Sequence, residues 1–394
     1  MPEESLIRTL LLPELSLVAF HRIPNARSVE VVAKREPREE YCPRCATRST
    51  SGYDRRRVRL KDAPFRDQRL TLIVDKRRLW CKPCGKPFTE PLRGVRKGFR
   101  HTERYGRAVL HACESYSDLS RVRRDFKCSA GWLYGALYRH LELRRRTRLY
   151  PWPERIGIDE HFFRRSKQGF RDFVSVVVDA KNHRLMEVVE GRTRGELEEA
   201  LAYIPGRENV RAVALDLCDP FKNFARGFFP NATLVADKFH VLRLLFPAIN
   251  RYRKAITGDR RSLPVRRLLL RNGRDLDPTL RWALRTWLAD YPELRELYDA
   301  KESLAGFYRV RSHVQASRIL TAITDGFARS LLPEILTLRR TLLRWRREVL
   351  AYFQTRLTNG MTEGFNLKAK LVKRRAYGYR SFRNYRLRLL NACA

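Results

Sequence analysis

The order of short apolar segments between residues 155 and 237 restricts the fold more than any other feature of the chain. Period-two apolar runs bounded by polar turns predict strands, and longer runs with helical periodicity predict helices. Seven segments follow one another as strand, strand, strand, helix, strand, helix and strand, over 155–159, 172–178, 185–189, 195–203, 210–215, 221–228 and 233–236. The predicted order is therefore an antiparallel meander that continues into parallel strands.

Acidic residues stand at the ends of two of these strands. Asp159 ends the first predicted strand, and Asp216 directly follows the fourth. The strand order fits a ribonuclease H-like (RNase H-like) fold, in which the first and fourth strands are neighbours, so both acids would reach one site. Asp219 competes for the second position, but it precedes Pro220 and is typical of a helix cap. Taken singly, an acid at a strand end is more often a turn or cap residue.

The net charge of the chain suggests what these acids could do chemically. Lysine and arginine number 82 against 43 acids, a net charge of +39 spread along the whole length. Such a chain is expected to bind a polyanion, and charge spread along its length favours an extended nucleic-acid path. Carboxylates kept within such a field suit two Mg²⁺ (or Mn²⁺) ions acting on phosphodiesters. No apolar run approaches the roughly 20 residues of a membrane-spanning helix, and none resembles a signal peptide, so no membrane partner is expected.

Two CxxC pairs predict a structural metal site near the N-terminus. Cys42, Cys45, Cys81 and Cys84 offer four thiolates, which suits one tetrahedral Zn²⁺ ion. The gap between the pairs is long, but a β-hairpin can fill it, as in a zinc ribbon. Two unrelated buried CxxC turns are the alternative, and a redox pair is disfavoured because no βαβ context surrounds it. The other four cysteines are scattered, which favours a reducing cytoplasm over a disulfide framework.

The segment after the cysteines has helical periodicity. Helices are predicted over 103–115, 117–126 and 129–144, with Ser129 as a cap and a short turn at 127–128. A stripe formed by Leu133, Leu137 and Leu141 would pack the third helix, as in a helix-turn-helix. We expect Lys127, Trp132 and Arg139 on the opposite side to contact DNA. An ordinary three-helix packing unit with a basic surface is the alternative.

Residues 245–357 are predicted to be wholly helical. One seam repeats at spacings of three and four and could pack internally, as we favour, or form a coiled-coil dimer contact; it consists of Ile335, Leu338, Leu342, Trp345, Val349 and Tyr352. Three aromatic residues could stack on distorted DNA, although burial in the core is favoured; they are Trp282, Trp287 and Tyr291.

The last segment, from Thr358, predicts an amphipathic basic helix. Met361, Phe365, Ala369 and Val372 line one face. Another face presents Glu363, which is predicted to bind metal. The polar and basic residues that follow it are predicted to contact DNA; they are Asn366, Lys370, Lys373 and Arg374. A glutamate that stabilises the helix dipole is the alternative for Glu363.

These motifs resemble one known family. The chain is similar over nearly its whole length to the DDE transposases of bacterial insertion sequences, specifically the ISL3 family. The matching blocks are the ribbon at 41–88, Ile158-Asp159-Glu160, the pair of segments 229–232 and 236–241, Asn359-Gly360-Met361-Thr362-Glu363-Gly364-Phe365-Asn366, and 373–379.

The resemblance implies a catalytic triad of Asp159, Asp216 and Glu363. It also implies a DxxH motif, Asp237 and His240, beside the active site, with His240 contacting a DNA end. The family's all-helical insertion before the last acid would explain the long separation between Asp216 and Glu363. The resemblance also implies double-stranded DNA as the partner, in the form of terminal inverted repeats and target DNA. A homodimer or higher oligomer on DNA and a nucleoid-associated, cytoplasmic location are further expectations from it.

The predicted organisation is an α/β chain with an RNase H-like catalytic core interrupted by an all-α insertion. Its segments are a zinc ribbon over 1–100, a helix-turn-helix over 101–150, the first part of the core over 151–244, the insertion over 245–357 and the catalytic C-terminal helix with its basic tail over 358–394. The expected activity is binding of terminal inverted repeats, metal-dependent cleavage and strand transfer. A domesticated, non-catalytic DNA-binding regulator and an RNase H-like structure-specific nuclease are the alternatives.

Overall fold

A computed structural model describes residues 11–24, 26–115, 118–165, 171–258 and 264–393. The chain divides into two compact units, Met1–Leu143 and Arg144–Ala394. Each unit is described below by itself. The described parts contain no helix long and apolar enough to cross a membrane.

The first unit begins with a β-rich region. Its main sheet has the order β1-β2-β6-β5, with β7 paired to β6, and β3 pairs only with β4. The strands are β1 (Leu15–Arg22), β2 (Ser28–Arg35), β3 (Glu40–Tyr41), β4 (Arg48–Ser49), β5 (Gly52–Phe65), β6 (Gln68–Cys81) and β7 (Lys86–Thr89).

A long hairpin of β5 and β6 fills the gap between the two cysteine pairs. Its turn residues Arg66 and Asp67 both have positive φ, as a tight hairpin turn requires. Alternate residues of β6 are buried in the core of the sheet, among them Leu70, Leu72 and Val74. The predicted hairpin is thus confirmed. The sequence did not indicate the length of β5, because much of that strand is arginine-rich and exposed.

Three helices complete the first unit: α1 (Glu103–Ser115), α2 (Leu119–Phe126) and α3 (Ala130–Thr147). The division between the units falls within α3. Ser129 Oγ accepts a hydrogen bond from the Trp132 N–H at 3.4 Å, and Lys127 ends α2 with φ of 47°. The leucine stripe of α3 is buried, as predicted. Residues 116 and 117, where the second helix was predicted to begin, lie outside the described residues.

The second unit contains one five-stranded sheet of order β10-β9-β8-β11-β12. Its strands are β8 (Arg155–Arg165), β9 (Arg171–Asp179), β10 (Arg184–Glu190), β11 (Ala212–Leu215) and β12 (Thr233–Ala236). β11 pairs in parallel with both β8 and β12, whereas β9 pairs antiparallel with β8 and β10. The prediction that the first and fourth strands are neighbours is confirmed.

One detail of the first strand was predicted wrongly. Asp159 does not end β8, which continues to Arg165. The strand continues because β9 pairs with it beyond the end of β11, from Asp159 opposite Val176 onwards. Asp159 therefore directly follows the part of β8 that pairs with β11, which ends with Ile158 opposite Leu215.

Helices surround this sheet. They are α4 (Arg194–Leu201), α5 (Asp219–Phe228), α6 (Lys238–Arg243), α7 (Phe246–Thr257), α8 (Pro264–Leu270), α9 (Pro278–Ala289), α10 (Pro292–Phe307), α11 (His313–Phe327), α12 (Pro333–Arg344), α13 (Arg346–Thr355), α14 (Gly360–Arg375) and α15 (Phe382–Ala392), with short 3-10 helices at Arg207–Asn209 and Gly273–Asp275. The chain is thus mixed α/β, with a β-rich N-terminal region and a largely helical C-terminal part.

Two apolar clusters lie against the sheet. In one, residues of β8, β11 and β12 pack with α4 to α13, and this cluster contains the whole predicted seam from Ile335 to Tyr352. Internal packing of the seam is therefore confirmed. Trp287 and Tyr291 pack partly buried against the same cluster, but Trp282 is 69% exposed, so its predicted burial is wrong.

In the other cluster, valines of β9 and β10 meet α14 and α15. The apolar face predicted for the C-terminal helix lies there: Phe365 and Ala369 are buried, and Met361 and Val372 pack beside them. This packing places α14, which carries Glu363 in its first turn, against β8 and β9.

Candidate active site and zinc centre

Asp159 and Asp216 face each other at one edge of the second unit's sheet. Both directly follow the parallel-paired residues Ile158 and Leu215, so the register of β8 and β11 brings their side chains together. The two carboxyl groups are close enough to interact electrostatically. Asp159 is only 6% exposed, and burial together with the Asp216 charge raises the pKa of Asp159 to about 8. Two acids so placed repel each other unless a proton or a cation lies between them.

Asp237 and His240 adjoin this pair. Asp237 follows β12 and caps α6, where its Oδ2 accepts a hydrogen bond from the His240 backbone N–H. His240 Nδ1 lies 2.9 Å from Asp216 Oδ1 and 3.1 Å from Asp237 Oδ2. Hydrogen bonds to Asp216 and Asp237 raise the pKa of His240 to about 10, so the imidazole is positively charged at neutral pH. Burial would raise the pKa of Asp237, but hydrogen bonds from His240 and Asn359 outweigh it and the pKa is lowered.

Asn359 connects several parts of the site, and the sequence prediction did not include it. Its backbone N–H donates to Asp237 Oδ1 at 2.9 Å. Its side-chain Nδ2 donates to Ile158 O at 2.8 Å and lies 3.4 Å from Asp216 Oδ1. Its Oδ1 accepts from Thr362 Oγ1 at 2.5 Å. The sequence signal for a role of Asn359 was its position as the first residue of block 359–366, one of the blocks that resemble the family most specifically.

Glu363 lies in the first turn of α14 but is not joined to the aspartates. Its Oε1 is 2.7 Å from Arg243 Nη1, and both side chains are partly exposed. Among the described residues, no recorded hydrogen bond or ion pair links Glu363 to Asp159 or Asp216. Asp219, the competing second acid, begins α5 and pairs instead with Arg344 Nη2 at 2.5 Å.

Asn366, predicted to contact DNA, is buried and has protein partners on both sides of its amide. Its Nδ2 lies 2.6 Å from Asp159 Oδ2, and its Oδ1 lies 3.0 Å from His161 Nδ1. His161 Nε2 lies 2.6 Å from the Tyr385 hydroxyl. Burial and the charge of Lys373 lower the pKa of His161 to about 4, so the ring is neutral.

The sequence analysis also missed His161 and Tyr385. Alternate residues of β8 point to one buried face, and these include Asp159, His161 and Phe163. A polar histidine at an inward position of the strand was the available sequence signal for a role of His161. Of the predicted phosphate-binding cations, Lys370 and Arg374 are exposed. Lys373 instead donates from Nζ to Phe162 O at 2.6 Å and to Phe163 O at 2.7 Å.

The acidic side chains fit a divalent cation. Asp159 and Asp216 offer hard oxygen ligands, and their mutual repulsion would be relieved by a cation between them. Ligand atoms of Asp216, Asp237 and His240 also lie within 4.8 Å of one another. Glu363 could join such a site only after leaving Arg243.

The four cysteines of the first unit converge on one point. Their Sγ atoms all lie within 4.8 Å of one another, with Cys45 to Cys81 at 3.4 Å and Cys42 to Cys84 at 3.9 Å. Each CxxC forms a closed knuckle: the Ala46 N–H donates to Cys42 O, and the Gly85 N–H donates to Cys81 O. Ala46 and Gly85 both have positive φ. A hydrogen bond with Thr47 lowers the pKa of Cys45 to about 6, which favours the thiolate that zinc requires.

The residues predicted to contact DNA in the first unit differ in exposure. Lys127 and Arg139 are exposed. Trp132 is half-buried, because its ring packs edge-on against His101, with centroids 4.8 Å apart, and lies beside Tyr105 at 5.7 Å.

Two family models match the chain. A family model described as "Transposase", that of the ISL3 DDE group, matches residues 156–389. A second model, "zinc-finger of transposase IS204/IS1001/IS1096/IS1165", matches residues 38–84 and so includes all four cysteines.

Two relatives are also transposases of insertion sequence elements. The transposase for insertion sequence element IS1001 of Bordetella parapertussis is 26% identical over 367 residues, which cover 90% of this chain and 89% of that protein. The transposase for insertion sequence element IS1557 of Mycobacterium tuberculosis is 26% identical over 259 residues, covering 58% of this chain and 57% of that protein. The first family model covers more than half of the chain, from β8 into α15, and the four clustered thiols support a structural zinc ion. The chain belongs to the ISL3 family of insertion-sequence transposases.

Proposed function

We propose that the chain cuts DNA at the terminal inverted repeats of its insertion sequence and joins the freed ends to target DNA. The second unit would be an RNase H-like catalytic domain, with the helical segment 245–357 as its insertion. The observation that supports this most is the Asp159–Asp216 pair, held together by parallel strands in a chain of net charge +39.

Asp159, Asp216 and Glu363 would hold two divalent metal ions. Bound Mg²⁺ or Mn²⁺ would supply Lewis-acid stabilisation of the oxygens around phosphorus. In cleavage, water attacks the phosphodiester and the P–O bond to the leaving 3′-oxygen breaks, which frees a 3′-hydroxyl. In transfer, that hydroxyl attacks a target phosphodiester, and one P–O bond forms as another breaks. The same arrangement therefore serves both displacements.

Residues of this chain prepare the site in two ways. His240 is a fixed cation beside Asp216, and we propose that its ring also faces the bound DNA end. Glu363 is held by Arg243 at 2.7 Å, and Arg243 is partly exposed. A DNA phosphate that binds Arg243 would release Glu363 toward the aspartates, which explains how the third acid joins a site it does not contact here.

Recognition of the ends is assigned to the first unit. The zinc ribbon and the α2–α3 helix pair would contact the terminal repeats, with Lys127, Trp132 and Arg139 at the surface. Lys370 and Arg374 on α14 would contact DNA near the active site, whereas Asn366 and Lys373, also predicted to do so, have protein partners. The five-segment organisation predicted from sequence, and a homodimer or higher oligomer on DNA, are part of this proposal.

The test uses the full chain with a duplex carrying a terminal repeat of the element. We expect cleavage that requires Mg²⁺ or Mn²⁺, and joining of the 3′-hydroxyl end to a target plasmid. Asp159→Ala, Asp216→Ala and Glu363→Ala should each abolish cleavage and leave end binding intact. Asp219→Ala is the matched control, since Asp219 pairs with Arg344 outside the acid cluster, and it should still cleave.

Each other outcome has a defined meaning. Specific end binding without cleavage under varied metals would contradict catalysis and identify a DNA-binding regulator. Cleavage without joining would identify a nuclease. Loss of cleavage in Asp219→Ala but not in Asp216→Ala would reverse the assignment of the second acid.

A further inference from the structure

We propose that Asn366, His161 and Tyr385 form a hydrogen-bonded chain that orients the Asp159 carboxylate for cation binding. The inference rests on the proposed function insofar as it gives Asp159 a metal. The three residues belong to three separate elements, α14, β8 and α15. They are positioning residues, because none of them is a ligand.

The direction of every hydrogen bond in the chain follows from its first member. When a cation is bound, Asp159 is ionised and can only accept, so Asn366 must turn its NH₂ group toward Oδ2, 2.6 Å away. The amide oxygen then faces His161, so Nδ1 must bear the hydrogen at 3.0 Å. A buried imidazole that donates from Nδ1 keeps Nε2 as its acceptor, and the Tyr385 hydroxyl lies 2.6 Å from Nε2 and donates to it. Tyr385 thereby fixes the tautomer of His161, and His161 fixes the orientation of the Asn366 amide.

The second oxygen of Asp159 is fixed as well. Its Oδ1 accepts from the Glu160 backbone N–H at 2.7 Å. With one donor on each oxygen, the plane of the carboxylate is set, and the remaining lone pairs are free for a cation. Outer partners of this kind usually set the orientation and affinity of a metal ligand.

The surroundings argue against a role in packing alone. Tyr385 is fully buried and sits in an apolar cluster with Phe163, Phe365 and Leu389. An apolar ring would fill that position, whereas buried polar groups cost free energy unless they are paired. Here each polar group is paired, and the pairing runs in one line to the acid.

Two substitutions separate the hydrogen bonds from the packing. Tyr385→Phe keeps the ring and removes only the donor. At position 161, an asparagine amide occupies roughly the place of Nδ1, and a glutamine amide the place of Nε2. His161→Asn thus keeps a donor for Asn366, whereas His161→Gln does not. Tyr203→Phe is the matched control, because it removes a hydroxyl that donates to the buried Glu187 elsewhere in the unit.

The primary measurement is Mn²⁺ binding by the full chain without DNA, followed by the electron paramagnetic resonance signal of free Mn²⁺. Only the binding that Asp159→Ala abolishes is counted. We expect Asn366→Ala and His161→Gln to weaken it about 10- to 100-fold, and Tyr385→Phe about 10-fold. His161→Asn should recover most of the affinity lost in His161→Gln. Tyr203→Phe should lower the melting temperature without changing Mn²⁺ affinity.

The outcomes also separate this inference from the proposed function. If Tyr385→Phe and His161→Gln bind Mn²⁺ as wild type does, the positioning chain is refuted, whatever the cleavage assay gives. If His161→Asn is as weak as His161→Gln, the direction of hydrogen bonding is refuted. Wild type could bind Mn²⁺, and the variants could follow the expected pattern, without any cleavage of terminal repeats. That result would support the hydrogen-bonded positioning of Asp159 and contradict the proposed function.

Discussion

Replacing Gly157 with alanine should lower the unfolding free energy of the second unit, although a glycine-to-alanine change within a strand is usually mild. Gly157 lies in β8, where a Cβ atom would be 2.4 Å from Asn359 Oδ1 and 2.6 Å from Thr362 Oγ1. Both distances are shorter than real Cβ contacts, and both partners are buried. Because Gly157 has no Cβ atom, the start of α14 can lie this close to β8.

The cost can be worked out from the contacts that must break. To make room, Asn359 has to turn away, which loses its bonds to Ile158 O at 2.8 Å and to Thr362 at 2.5 Å. Two buried hydrogen bonds contribute about 2 kcal/mol, and overpacking adds about 1–3 kcal/mol. The smaller entropy of the unfolded alanine chain returns about 0.4–1 kcal/mol. We expect a net loss of roughly 2–4 kcal/mol from the unfolding free energy of the second unit.

The assay must report on each unit separately, because a chain of two compact units is not expected to unfold as a single two-state system. Native-state hydrogen exchange, followed peptide by peptide, gives opening free energies for β8 and β11 with β6 of the first unit as internal reference. Gly195→Ala is the matched control, because Gly195 lies in α4 with nothing within 4 Å of a built Cβ. It should be neutral or stabilising by up to about 1 kcal/mol. Protection of β8 in Gly157→Ala within about 0.5 kcal/mol of wild type would refute the steric argument.

Three further predictions concern charge and metal. Because burial and Asp216 raise the pKa of Asp159 from 3.8 to about 8, the folded state retains a proton that the unfolded state loses. Without added divalent cation, the unfolding free energy should fall as pH rises from about 4 to 8, by at most about 1.4 kcal/mol per pH unit. Denaturant titrations at several pH values measure this fall, and Asp159→Asn should lack the part that Asp159 contributes. The same pH dependence in Asp159→Asn as in wild type would contradict the prediction. Cys45→Ser should lower the zinc content from one ion per chain, measured by metal analysis, and reduce hydrogen-exchange protection at the end of β6 but not in β8. Arg243→Ala should change the unfolding free energy by less than about 1 kcal/mol, since its pair with Glu363 is partly exposed; a larger loss on denaturation would show that the pair is structural.

Sequence alone predicted the strand order of the second unit because each strand is a short apolar run with clear turns on both sides. It also predicted the neighbouring positions of the Asp159 and Asp216 strands, because the strand order was matched to an RNase H-like fold, in which the first and fourth strands are neighbours. It misjudged the end of β8, because strand length there depends on pairing with β9 rather than on the residues of β8. The exposure of Trp282 was likewise unpredictable, since its helix presents apolar residues on more than one side.

The contacts of Asn359 and Tyr385 could not be predicted for a different reason. Asn359 meets Ile158 and Asp216 across 201 and 143 residues of sequence, and Tyr385 meets His161 across 224. No local pattern encodes such a pair. The sequence gives the residue types and their spacing, whereas the partners depend on how α14 and α15 dock on the sheet.

The first two turns of α14 explain why the long helical insertion does not separate the acids. Asn359, at the start of the helix, binds Asp237 through its backbone and approaches Asp216 through its side chain. Asn366, two turns later, binds Asp159. Glu363 lies between these two anchors, so its backbone is fixed beside the aspartates even while Arg243 holds its carboxylate. This position between two anchored residues supports the proposal that Glu363 would join the aspartates by a change of side-chain rotamer once its carboxylate leaves Arg243.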